Sequence, residues 1–176
     1  METYEINDTL NAILKVEAMK CGLCNKWTSE WTDGETKLTL IDKYKRGQDF
    51  CIENHFPNNS MLEHIKNSFG NEFLKKNHIY INEDVDDGNF MDVATIVQGD
   101  SCGTLRFSDY DTTTIYARDE VNLIVNVSGN AIVMIRVYDN ANVEVIQSGN
   151  GKATVKRYGE NAVVTTQGNV KRLEKK

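Results

Sequence analysis

Residues 109–159 read DYDTTTIYARDEVNLIVNVSGNAIVMIRVYDNANVEVIQSGNGKATVKRYG, and a turn signal returns through them every ten residues. The triplets are Ser108-Asp109-Tyr110, Arg118-Asp119-Glu120, Ser128-Gly129-Asn130, Tyr138-Asp139-Asn140, Ser148-Gly149-Asn150 and Tyr158-Gly159-Glu160. Gln98-Gly99-Asp100 precedes them in the same phase. The middle residue is always Gly or Asp, the types that tolerate a tight or left-handed backbone. Between turns the odd positions are apolar or small. They run from Met91, Val93, Thr95 and Val97 through Val121-Leu123-Val125-Val127 and Ala131-Val133-Ile135-Val137 to Val163. Even positions such as Asn122, Arg136, Glu144 and Lys156 are more polar. Alternation rich in β-branched residues is the period of a half-buried strand, and its recurrence marks an internal repeat.

A sub-period of twenty lies over the ten. Ser108, Ser128 and Ser148 occupy one set of turns; Arg118, Tyr138 and Tyr158 occupy the other. In a two-sided coil, residue i lies on residue i+20, about 4.8 Å away in the strand-pairing direction, and like residues stack into ladders. The expected fold class is α+β: an N-terminal helical cap followed by a short two-sided β-solenoid of about 20 residues per coil, with about four coils between Met91 and Asn169. The alternative is an antiparallel β-meander or barrel, in which alternate turns also share an end but gain little from being alike.

The chain has 176 residues and a single proline, enough for one or two domains. Its net charge of −6 argues against a general electrostatic grip on nucleic acid or acidic membrane. No run of eighteen apolar residues spans a membrane, and the acidic start METYEINDTL lacks the apolar region of a signal peptide. Four cysteines do not make a disulfide framework, so a reduced, cytoplasmic location is expected.

Residues 1–85 have a different texture and are expected to form the cap. A first helical stripe carries Leu10, Ile13, Leu14, Ala18, Cys21 and Cys24, weakened at Gly22, extends to Trp27 and Trp31, and ends at Thr32-Asp33-Gly34. A second stretch, about Glu35 to His55, turns Leu38, Ile41, Tyr44, Cys51 and Ile52 inward and stops at Pro57. A third, capped by Asn59 or Ser60, carries Met61, Leu62, Ile65, Phe69, Phe73 and Leu74. His78-Ile79-Tyr80-Ile81 is expected as a short strand, and the acidic run Glu83–Gly88 as a solvated join. Residues 86–176 are the repeat domain, ending in the charged tail Lys171–Lys176. A solenoid exposes an open sheet edge and an open core at its first coil, so a helical cap answers a physical need.

Cys21-x-x-Cys24 with Cys51-x-x-x-His55 has the ligand types of a zinc site. Both cysteines of the pair fall on the apolar face of a predicted helix, however, where buried thiols are ordinary core residues. The expectation is no metal and no cofactor. Phosphate loops, nucleophile elbows and paired catalytic carboxylates are absent from the sequence, so no enzyme is expected.

A surface constellation follows from the coil. One outward column reads Ile96, Tyr116, Arg136, Lys156, and the adjoining corner reads Gln98, Arg118, Tyr138, Tyr158. Tyr116, Arg118, Arg136, Tyr138, Lys156 and Tyr158 together form a basic-aromatic strip on an acidic protein. It suits an anionic ligand, nucleotide or nucleic-acid strand by stacking and charge, while the plainer reading is a ladder that stabilises the stack. Ile124 and Ile146 on one sheet, and Ile132 and Met134 on the other, point outward and suggest a homo-oligomer contact.

Tyr44-Lys45-Arg46-Gly47-Gln48-Asp49-Phe50-Cys51-Ile52-Glu53, then Phe56-Pro57, then His78–Ile81, Val137–Ala141 and Arg157-Tyr158-Gly159 resemble a group of uncharacterised proteins from phages and prophage-like elements of gut bacteria. The resemblance implies a helical cap plus β-solenoid and a mobile-element origin, and it transfers no catalytic residue. With that origin, the expected function is non-enzymatic binding in the host cytoplasm. The partner is then a host protein or protein–nucleic-acid complex, such as a CRISPR or nucleotide-signalling defence system. The alternatives are a virion or assembly component and a zinc module on Cys21, Cys24, Cys51 and His55.

Overall fold

The computed structural model describes residues 8–174. The acidic start and the last two lysines of the expected tail therefore lie outside the described residues. The chain divides into two compact units between Asn77 and His78.

The first unit is helical: α1 (Asp8–Lys20), α2 (Asn25–Glu30), α3 (Lys37–Arg46), α4 (Gln48–Glu53), α5 (Asn59–Phe69) and α6 (Asn71–Lys76). Each of the three expected helices is a pair, and each break falls at a glycine: Gly22, Gly47 and Gly70. Gly22 at φ 89° and Gly70 at φ 83° hold a backbone that other residues resist, so the helical hydrogen bonds stop there. Thr36 caps α3 in a reciprocal box with Thr39, and Asn58 caps α5 through Met61 N–H.

The core of this unit includes Leu10, Leu14, Ala18, Trp31, Leu40, Ile41, Cys51, Met61, Leu62 and Leu74. Ile13 and Leu38, expected inward, are each 48% exposed. Part of the interior is polar instead. Buried Asn11 accepts the Trp31 indole N–H at 2.7 Å and donates to Thr32 O at 3.0 Å and Asp33 O at 3.1 Å. An unsatisfied amide there would cost free energy, and these bonds tie α1 to the loop before α3.

The second unit is a parallel β-solenoid. Its strands are β1 (Ile79–Ile81), β2 (Asp84–Gly88), β3 (Thr95–Gln98), β4 (Cys102–Phe107), β5 (Thr112–Ala117), β6 (Asn122–Val127), β7 (Ile132–Val137), β8 (Asn142–Gln147), β9 (Lys152–Arg157), β10 (Val163–Gln167) and β11 (Lys171–Glu174). Odd-numbered strands form one sheet, in the order β1-β3-β5-β7-β9-β11, and even-numbered strands the other, β10-β8-β6-β4-β2. All pairs are parallel. The regular coils repeat at twenty residues, with Thr112 beside Ile132 and Ile132 beside Lys152. The solenoid reading holds, and the antiparallel meander does not. The stack starts earlier than Met91, at Ile79.

Odd positions fill the space between the sheets. Leu105, Ile115, Val125, Ile135, Val145 and Val155 belong to one continuous apolar core. The pairing continues round the corners: Asn130 N–H donates to Asp109 O at 2.8 Å, and Asn140 N–H to Asp119 O at 3.1 Å. Gly99, Asp109, Asp119, Gly129, Asp139 and Gly149 all take positive φ, as the turn signal requires.

Several expectations change. Met91 and Val93 lie outside the strands and are 71% and 85% exposed. The acidic run is not a solvated join. It is strand β2, paired with β4, with Val85 turned into the core and Asp86 outward against Arg106. The unit therefore begins before the 85/86 join. Lys171–Glu174 is likewise strand β11, not a tail.

Candidate functional site

The candidate site lies on the outward face of β5, β7 and β9. Alternation puts residues i, i+2 and i+4 of each strand on this face. The twenty-residue register then lines them into columns: Thr112-Ile132-Lys152, Thr114-Met134-Thr154 and Tyr116-Arg136-Lys156. None of these nine residues is acidic, although the chain carries a net charge of −6. Ile132 is 54% exposed and Met134 39%.

Five of the six expected residues are brought together. The Arg136 guanidinium lies over the Tyr116 ring, 5.3 Å from its centroid, and hydrogen-bonds Tyr138. Tyr138 and Tyr158 stack at 4.6 Å with planes 13° apart. The Lys156 ammonium sits 4.8 Å from the Tyr158 centroid. Ring faces offer cations a negative quadrupole, so they offset the repulsion between Arg136 and Lys156 on adjacent strands. Burial works against the Arg136 charge, and the surrounding Tyr116, Tyr158 and Tyr138 more than offset it, which raises its pKa. Burial, with Tyr158 alongside, pushes the Tyr138 hydroxyl pKa up against the opposing pull of Arg136.

Arg118 is a correction. It is 2% exposed, with Nε 3.5 Å from Asp119 Oδ2, so it is a corner residue inside the stack and not part of the strip. Ile96 and Gln98, placed in the same two columns from sequence, are also fully buried. The strip therefore begins at Tyr116. Lys152 and the carboxylate-free character of all three columns extend the site beyond the expected residues. Their signal was present in the even positions of 112–156, which carry no Asp or Glu on alternate strands.

The opposite face behaves differently. Ile124 is 38% exposed and Ile146 half-buried, among Asn122, Asn142 and Glu144.

The cysteine–histidine set does not converge. Cys21 lies in the turn after α1, Cys24 caps α2, and Cys51 is buried in α4 while His55 is exposed beyond it. Among the described residues no group of three or more His, Cys, Asp or Glu side chains is placed to hold a metal ion. None of the four cysteines forms a disulfide. Among the described residues no helix is long and apolar enough to cross a membrane.

Fold and site together define a two-sided parallel β-solenoid with a basic-aromatic sheet face, joined in one chain to a helical unit. Comparison with protein-family models, with curated proteins and with solved structures returns no match.

Proposed function

We propose that the chain is a non-enzymatic binding protein and that the β5-β7-β9 face grips an acidic surface on another protein. The observation that carries this reading is the three-column face without a carboxylate, centred on Tyr116, Arg136 and Lys156 and bordered by exposed Ile132 and Met134. Aromatic residues, Met and Arg are the types enriched at protein interfaces. Nucleic acid fits less well, because stacking on bases needs open ring faces. Here those faces already carry Arg136, Tyr138 and Lys156. The resemblance to phage and prophage proteins adds the setting: a mobile-element protein that blocks a host defence component. That step rests on resemblance and not on a residue.

The test is capture of a partner from host lysate with the intact chain, the double variant Arg136→Glu/Lys156→Glu, and Ile124→Glu on the opposite face as control. Loss of the captured protein with the double variant alone supports the reading. Undiminished capture by the double variant overturns it.

A second reading, an oligomerising structural component, draws on the same exposed Ile132 and Met134. Light scattering of the purified chain separates the two: a stable monomer over a wide concentration range removes the structural reading.

A further inference from the structure

The last coil ends unlike those before it. An extra residue after the Tyr158 corner moves the pairing from twenty to twenty-one, so Val163 lies beside Asn142. β10 and β11 are the terminal strands of their sheets. Val163 N–H donates to Ala141 O at 3.0 Å. Alternate residues of a parallel strand bond the same neighbour, so Val163, Thr165 and Gln167 address β8. The backbone groups of Val164 and Thr166 face the open side. Arg172 reaches that side from β11, with Nη2 to Val164 O at 3.4 Å and Nε to Thr166 Oγ1 at 3.0 Å.

Beside this edge opens a cavity of about 340 Å³, lined by core residues including Val155, Ala162 and Val164 and flanked by Arg157 and Arg172. That volume lies in the range of sites that accept organic groups. Sheet edges are commonly protected by charge or proline. Val163-Val164-Thr165-Thr166-Gln167 has neither. The charged side chains that line the cavity beside it, Arg157 and Arg172, are both cationic, while Glu144 lies on the β8 side and accepts from Gln167 at 2.6 Å. A second copy would bring the same cations against them and be repelled, whereas an acidic strand would be attracted.

We propose that the β10 edge is a docking site for an extended acidic segment of a partner protein. The segment adds as a strand beside β10, bonds the backbone of Val164 and Thr166, drops alternate apolar side chains into the cavity and sets a carboxylate against Arg172. This site shares no residue with the β5-β7-β9 face, so either can fail alone.

The test is amide hydrogen exchange of the full chain with a blocked peptide alternating glutamate and valine. Protection of the Val164 and Thr166 amides rises on binding. Thr166→Pro, which removes an outward N–H and leaves the bonds to β8 in place, abolishes peptide binding. Should that variant fold poorly, Arg172→Gln keeps a donor and lowers affinity about ten-fold through the lost charge-assisted bond. The Arg136→Glu/Lys156→Glu variant binds the peptide through the same amides. Four outcomes overturn the proposal: no added protection, equal protection by a lysine–valine peptide, the same protection by single-stranded oligothymidylate, and Val164 and Thr166 amides already protected in the chain alone.

Discussion

Asp119 and Asp139 show what one residue decides in a stacked coil. Each occupies a left-handed turn position that Gly fills elsewhere, and each carboxylate accepts an amide from the preceding coil. Gly99 N–H donates to Asp119 at 3.0 Å, and Asp119 N–H to Asp139 at 3.1 Å. Asp139→Gly keeps the backbone and removes the acceptor, so it should cost about 1.5–3 kcal/mol, the range for a bond to a charged group. Asp139→Ala loses the same bond and, unlike the glycine variant, keeps a Cβ in the left-handed region without the local side-chain bonding that lets Asp tolerate it, so it should be about 1 kcal/mol less stable than Asp139→Gly. Urea unfolding should rank native above Gly above Ala; a glycine variant as stable as the native chain would show that the ladder bond contributes nothing. The turn positions were legible because only Gly, Asp and Asn suit them. The preference for Asp was not, because the amide it serves lies twenty residues away. Arg118 was misplaced for a similar reason: a corner residue's direction depends on the neighbouring coils, and here it turns in. Glu35 is a second residue-scale case. It is buried, yet lies 3.1 Å from Lys43 and accepts from Thr32 N–H at 2.9 Å. Burial raises its pKa, while Thr39, Thr32 and Lys43 together bring it below the ordinary 4.5. A carboxylate depressed in the folded state stabilises above its unfolded pKa, and that contribution is lost as pH falls through the folded value. Glu35→Gln should therefore cost about 2 kcal/mol at neutral pH. The gap to the native chain should close below pH 4.5, as read from denaturation midpoints across pH.

At the scale of the element, parity decides. Ile135 faces the core and is fully buried, while Ile132 in the same strand is 54% exposed. Ile135→Ala should cost about 2–5 kcal/mol through lost burial and a residual cavity, and Ile132→Ala within about 0.5 kcal/mol. Thermal unfolding of the two variants checks this, and equal losses would mean that the strand is not one-sided. The same alternation made β4 to β9 readable from sequence, where six-residue strands keep one phase for three coils. It failed where phase slips. Val163 sits at an odd position and is 50% exposed, because the extra residue after Tyr158 moves Ala162 and not Val163 into the core. β2 was missed because a strand needs only its inward residue to be apolar; Val85 supplies that, and the outward aspartates resemble a linker. The helices were found in place but drawn too long. Their apolar stripes continue across Gly22, Gly47 and Gly70, and a stripe does not register that the backbone has stopped donating.

For the whole solenoid the governing fact is that each coil touches only the coils beside it, so its stability is close to one-dimensional. Inner coils hold two neighbours and end coils one. Opening free energy should therefore fall toward the end of the stack, and amide exchange measures that opening directly. The amides of β6, β7 and β8 should exchange slowest, and those of β10 and β11 fastest, since these two strands end their sheets beside an uncovered cavity. A substitution then reads out by place. Ile135→Ala should speed exchange in β5 and β9, the sheet neighbours of β7, and in the facing strands. Val164→Ala should speed exchange in β10 and leave β4 and β6 unchanged. If both substitutions instead raise exchange uniformly from β2 to β11, the coils unfold as one cooperative block. In that case the final coil is held as firmly as the middle ones, and the one-dimensional description fails.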